Sequence, residues 1–163
     1  MSGRVLAIDD DEGILKIISK ILTREGFEVD TCSDPQAGLE MAFTGQYQLL
    51  ILDVMMPRID GYEVTERLRE HDEGKKLPVL LLTAKGRYDI IRDRSRYFLY
   101  GLYGFLPKPF FGRELVHKVA EILELMKSRE ASQVESSDPE EASSAGAEEA
   151  EQQAAASKPS DSI

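Results

Sequence analysis

The sequence has a single cysteine, Cys32, and no tryptophan. One thiol excludes a disulfide framework and any cysteine-built metal site, and it suits a reducing, cytoplasmic compartment. No apolar run approaches the length of a membrane span. A strand pattern begins within four residues of the start, which leaves no room for a signal peptide. Positive charge is also in short supply: 20 Lys and Arg stand against 30 Asp and Glu, for a net charge of −10. Such a surface repels nucleic acid and anionic membranes unless a local basic patch intervenes.

What remains is a soluble globular composition, with 42% hydrophobic and 31% charged residues in 163 positions. That length suits one domain with an appendage. The acidity is uneven. Residues 129–163 hold 9 acids and 2 bases. From about Arg129 the apolar periodicity gives way to Ser, Ala, Glu, Gln and Pro, a composition that buries too little apolar surface to fold. The expectation is a domain over 1–128 followed by a disordered acidic tail over 129–163. No DNA-binding or catalytic output domain fits in that tail, which reads as a solubilising appendage.

Within the domain, Leu49-Leu50-Ile51-Leu52 is an apolar run of the kind found in strands buried on both faces. It ends on Asp53, and Pro57 with Asp60-Gly61 then forces a loop. The same rhythm recurs along the chain. Arg4–Ile8 is a short strand that runs into Asp9-Asp10-Asp11-Glu12, and Ile14, Leu15, Ile17, Ile18, Ile21 and Leu22 then follow at helical spacing. Glu28–Cys32 reads as a strand, and Asp34-Pro35 as a helix start with the acid capping and proline in the first turn. A helix over about Tyr62–Glu70 precedes a strand at Pro78–Thr83. After another helical stretch, a short strand opens at Gly104 and ends at Lys108. The last amphipathic helix carries Leu115, Val116, Val119, Ile122, Leu123 and Met126. Five alternations of strand and helix predict an α/β fold with a parallel sheet covered on both faces.

In such a sheet the carboxyl ends of the strands share one edge, the usual place for ligands. That edge collects Asp9, Asp10, Asp53, Thr83 and Lys108. Crowded carboxylates stay ionised only beside a cation or abundant water. Oxygen donors next to an open position suit Mg²⁺. A carboxylate can also serve as a nucleophile and become an aspartyl-phosphate. In phosphoryl transfer the protein mainly positions groups and neutralises charge. The set therefore reads as a phosphorylation site. Asp53 attacks, Mg²⁺ held by Asp9, Asp10 and Asp53 orients the donor, and Lys108 and Thr83 hold the transferred group. The plainer alternative is a structural ion pair between Lys108 and Asp53.

The chain resembles the receiver domain of two-component response regulators over roughly residues 3–127. The resemblance rests on Val5-Leu6-Ala7-Ile8-Asp9-Asp10-Asp11, Asp53-Val54-Met55-Met56-Pro57 with Asp60-Gly61, Leu82-Thr83-Ala84, and Leu106-Pro107-Lys108-Pro109-Phe110. It implies a flavodoxin-like (βα)5 doubly wound sheet of order 2-1-3-4-5. It also implies that a sensor histidine kinase or a histidine phosphotransfer protein donates phosphate to Asp53. The backbone carbonyl of Met55 would complete the Mg²⁺ shell, and the Lys108-Pro109 bond would be cis. Self-phosphorylation and slow self-dephosphorylation would be its only chemistry, tuned at Met55 and Lys85. Thr83 would move toward the phosphoryl group and couple to Phe105, which lacks a hydroxyl and so depends on packing for its inward state. The output would pass to a downstream protein target or through a phosphorylation-linked homodimer, and a phosphoryl carrier in a relay is the alternative.

The chain departs from the family between Thr83 and Lys108, where about three extra residues coincide with the tandem Leu99-Tyr100-Gly101 and Leu102-Tyr103-Gly104. The first glycine is expected to end the preceding helix and the second to open the fifth strand. The same stretch is rich in aromatics and carries Arg87, Arg92, Arg94 and Arg96. It matches the face of helix 4, strand 5 and helix 5 that receivers use for output, and tyrosine and arginine are favoured at interfaces. Those arginines are also the alternative docking place for the acidic tail. An aspartate-nucleophile phosphohydrolase would need a second acid where Met55 stands. A flavin carrier would need a phosphate-cradling loop where Asp9 and Asp10 stand.

Overall fold

The computed structural model describes residues 3–84 and 101–135. The expectations for the helix after Thr83, for Lys85 and the four arginines, and for the tail beyond Glu135 lie outside these residues.

Apolar strand runs build the sheet. β1 (Arg4–Ile8), β2 (Glu28–Cys32), β3 (Leu49–Asp53), β4 (Val79–Thr83) and β5 (Leu102–Pro107) are all parallel, in the order β2-β1-β3-β4-β5. Every residue of β3 and β4 is buried, because these central strands are covered on both faces. Side chains alternate between two layers. Leu6, Ile8, Leu50, Leu52 and Leu81 face α2 (Pro35–Ala42) and α3 (Gly61–Glu70). Val5, Ala7, Leu49, Ile51, Leu80 and Leu82 face α1 (Glu12–Arg24) and the last helix. The expected doubly wound architecture and strand order are those observed.

Helix starts follow the local chemistry. Asp11 caps α1 by accepting from the N–H groups of Gly13 and Ile14, and Asp34 caps α2 from Ala37, with Pro35 in the first turn. Asp60 caps α3 through Glu63. A short helix, α4 (Asp72–Lys76), has no counterpart in the sequence reading. A side chain at its Gly74 would collide with the carbonyl oxygen of Leu68, so only glycine lets α4 fold back on α3.

Two boundaries differ from expectation. β5 opens at Leu102, and Gly104 lies inside the strand, where Val79 pairs with Leu102 but Leu80 pairs with Gly104. Tyr103 is thus the extra residue of a bulge. The absent side chain at Gly104 leaves room for Leu80 and Ile122, whose methyls would stand 3.3 and 3.4 Å from a Cβ there. The last helix, α5 (Gly112–Glu135), also runs on past residue 128. Apolar periodicity stops there, but Arg129, Glu130, Ala131 and Gln133 are strong helix formers. Arg129 also reaches back to donate to the Tyr103 hydroxyl at 2.9 Å. Helicity therefore persists where core-facing residues end.

Candidate functional site

β1 and β3 are neighbours, so the residues that follow or end them meet at the carboxyl edge. Asp9 is fully buried, Asp53 is 3% exposed and Asp10 is exposed. One carboxylate oxygen from each lies within 4.8 Å of the others. The sequence placed these three acids together, and so does the fold. β4 and β5 bring the other two groups. Thr83 is buried at the end of β4, and its carbonyl accepts from the Lys108 N–H at 2.7 Å. That bond extends the ladder beyond Pro107 and swings the Lys108 side chain over the acids. The Lys108-Pro109 bond is cis, as the resemblance implied.

The ammonium group pairs with Asp53, as the plainer reading has it, and with Asp9 as well. Lys108 Nζ donates to Asp9 Oδ2 at 2.6 Å and forms a longer ion pair with Asp53 Oδ1 at 3.1 Å. Asp53 Oδ1 is buried with no hydrogen-bond partner. Asp9 is further occupied by the Asp11 N–H, which donates to its other oxygen at 2.9 Å. Asp9 is thus held from both sides, whereas Asp53 keeps an unfilled oxygen beside a second acid. Burial pushes the Asp53 pKa above the usual carboxylate range and the charge of Asp9 adds to this, with Lys108 and the Met55 N–H working in the other direction. Burial works to lower the Lys108 pKa, but Asp9 and Asp53 outweigh it and the net direction is up.

An oxygen-only donor set of three clustered carboxylates fits a small hard cation with open positions for water and phosphate. Asp9, Asp10 and Asp53 could hold it, and Met55, two residues after Asp53, is 57% exposed. Phe105 lies in β5, half-buried against the α2–α3 layer.

Two positioning residues escape a reading for chemistry. The Gly61 N–H donates to the Val54 carbonyl at 2.9 Å, and a Cβ on Gly61 would lie 2.4 Å from the Asp53 carbonyl oxygen. Buried Thr65 donates its hydroxyl to the Gly61 carbonyl at 2.8 Å. Together they seat the start of α3 against the strand that carries Asp53. The sequence marks Gly61 as a turn residue and as part of the receiver motif, without showing this close approach. Gly61→Ala should lower stability by about 2 kcal/mol, typical of forced overpacking. Chemical denaturation checks this, and an unchanged midpoint would mean that the approach is not tight.

With this geometry in place, comparison with known proteins is decisive. Residues 5–120 match the response regulator receiver domain family. The chain belongs to that family. Among curated relatives it is 36% identical over 135 residues to the transcriptional regulatory protein SrrA of Staphylococcus aureus, covering 83% of this chain and 54% of SrrA. The receiver thus spans about half the length of that relative. Among solved structures, chemotaxis protein CheY4 of Vibrio cholerae superposes with a TM-score of 0.68 at 29% identity, covering 75% of this chain and 99% of CheY4. The receiver domain of sensor histidine kinase PA1611 from Pseudomonas aeruginosa shares the fold at 24% identity and a TM-score of 0.67, over 76% of this chain and 99% of that one. That neighbour has a magnesium ion coordinated in its active site cleft. No helix among the described residues is long and apolar enough to cross a membrane.

Proposed function

We propose that this receiver is a phosphorylation-dependent switch in which Asp53 accepts a phosphoryl group. The observation that carries the reading is the buried Asp53 Oδ1, 3.1 Å from the Lys108 ammonium and clustered with Asp9 and Asp10. A carboxylate oxygen of Asp53 attacks phosphorus and forms an O–P bond. The P–N bond of a donor phosphohistidine breaks, and the freed imidazole nitrogen keeps the electron pair and takes up a proton. Mg²⁺, when bound by Asp9, Asp10, Asp53 and the Met55 carbonyl, supplies neutralising charge for the transferred oxygens.

The chain's own groups do the rest. Lys108 balances the charge that builds on the equatorial oxygens, and the Thr83 hydroxyl stands at the neighbouring strand end to receive one of them. Capture of that oxygen draws Thr83 toward Asp53 and opens space behind it for Phe105 to turn inward. Phe105 has no hydroxyl, so its two states differ by packing against the α2–α3 layer. A protein target then reads the changed face around β5 and α5. The net charge of −10 argues for protein contact over nucleic acid, and the domain is read as cytoplasmic.

A relay carrier would use the same acceptor but pass the group to a second histidine. Phosphotransfer profiling against a panel of histidine kinases and histidine phosphotransfer domains separates the two. A switch gains phosphate from one kinase and then binds a target more tightly, without returning phosphate to a phosphotransfer domain. Rapid onward transfer with no change in target binding would favour the carrier. No transfer from any kinase, with acyl-phosphate also inert, would reject both.

A further inference from the structure

Most described cations in this protein are spoken for. Arg4 pairs with Asp30, Arg58 with Asp34, Arg67 with Glu63, Lys75 with Asp72 and Lys118 with Glu121. Arg69 is spent on the carbonyls of Gly74, Leu77 and Gly101. Against that background, α1 presents Lys16, Lys20 and Arg24 at intervals of four residues, all exposed. None of the three has an ion-pair or hydrogen-bond partner among the described residues. Four-residue spacing aligns them in one row about 12 Å long, where like charges repel.

The row borders a groove that also takes in Ser19, Thr23, Thr31 and Ser33, with Glu12 at its upper end. Its far wall belongs to β2, an edge strand of the sheet. Cations and hydroxyls along an open strand edge suit an extended acidic chain. Other unpaired cations lack this setting. Lys76 and Lys127 share their cavity with Glu73 and Glu130, and Arg113 lies over the Phe111 ring at 5.5 Å.

We propose that this flank of α1, with its groove beside β2, is the docking surface for the chain's own acidic segment, residues 136–163. The segment holds 7 acids and 1 base, Lys158, in 28 residues. Arg24 lines a second groove together with Ala120 of α5. α5 ends fifteen residues further on, so the segment departs roughly 22 Å beyond the level of Arg24. Twenty-eight residues reach at most about 95 Å, which is enough to return along α1. Docking there neutralises the repelling row and covers an exposed strand edge, the usual hazard for pairing between copies. The contact is electrostatic and needs no phosphorylation, so it stands apart from the acceptor reading.

The test uses the full chain. Carbodiimide coupling of lysine amines to carboxylates, at about 20 mM and about 500 mM salt, is read by peptide mass spectrometry. Cross-links from Glu148, Glu149 or Glu151 should concentrate on Lys16 and Lys20, and should fall roughly fivefold at high salt. A mixture of isotopically heavy and light protein should show them within one copy. The Lys16→Gln, Lys20→Gln, Arg24→Gln variant changes only exposed positions and keeps good helix formers. By X-ray scattering at low salt it should expand to the radius of gyration that the wild type shows at high salt. Heavy–light links would overturn the proposal in favour of a second copy. Links spread evenly onto Lys76 and Lys127, or a variant no larger than wild type, would also overturn it.

Discussion

Asp53→Asn should abolish phosphoryl uptake and, at the same time, make the metal-free protein more stable. The first effect follows from chemistry, because an amide oxygen is too weak a nucleophile to form the acyl-phosphate. The second follows from burial. Asp53 is nearly enclosed beside Asp9, one of its oxygens has no hydrogen-bond partner, and both factors raise its pKa. An acid whose pKa is raised on folding costs nothing while it is protonated, below the unfolded value of about 4. The cost grows as pH rises through the higher folded value and is complete above it. In the presence of a chelator, Asp53→Asn should therefore match wild type near pH 4. It should exceed wild type by about 1–3 kcal/mol at pH 7.5, in line with replacement of strained buried charge. Denaturant midpoints across that range check the sign. A variant less stable than wild type at neutral pH would show that Asp53 is a net structural asset.

Lys108→Met should act in the opposite direction on stability and as strongly on chemistry. Lys108 is the one cation within ion-pair distance of both Asp9 and Asp53 among the described residues, at 2.6 and 3.1 Å. Its removal leaves two buried carboxylates facing each other. The expected cost is about 3 kcal/mol, the low end for breaking a buried pair, since the pocket opens to water at Asp10. Magnesium should restore much of this loss, because a divalent ion can take over the neutralising role. Melting with and without 10 mM Mg²⁺ — a concentration of the order needed for a weak, water-rich site — should show a larger rise for the variant than for wild type. Phosphotransfer should slow by roughly 10²- to 10³-fold, as when one preorganised charge-stabilising group is lost. Equal metal-induced shifts in the two proteins would mean that Lys108 and the metal do not share the acids.

Much of this was legible in the sequence because a parallel sheet gathers strand ends. Once Leu49–Leu52 and Val79–Leu82 are read as buried strands, Asp53 and Thr83 must share an edge with Asp9 and Lys108. Asp34-Pro35 marked a helix start for the same local reason, a capping acid before a residue with no N–H to satisfy. The misses arose where three-dimensional fit outranks local pattern. α4 is five polar residues around Gly74, with no apolar period to reveal it, and it exists because the Leu68 carbonyl admits only glycine. Gly61 looked like a turn, and nothing in its neighbours shows that a methyl there would strike the strand bearing Asp53. The end of α5 was placed too early because apolar spacing was taken for helicity. Arg129 on Tyr103 and residues of high helix propensity continue it to Glu135. That Lys108 stands half an ångström closer to Asp9 than to Asp53, at 2.6 against 3.1 Å, is below what spacing can encode.

The central claim is that one carboxylate, Asp53, accepts phosphate in a pocket that needs a divalent cation. The most direct test is incubation of the full chain with an acyl-phosphate, with Mg²⁺ or with a chelator, followed by borohydride reduction and peptide mapping. Reduction converts a phosphorylated aspartate to homoserine and so labels the acceptor itself. The account predicts homoserine at position 53 alone, formed with Mg²⁺ and absent with the chelator. Label at another carboxylate, label independent of the metal, or no label with a donor that modifies a control receiver would contradict it.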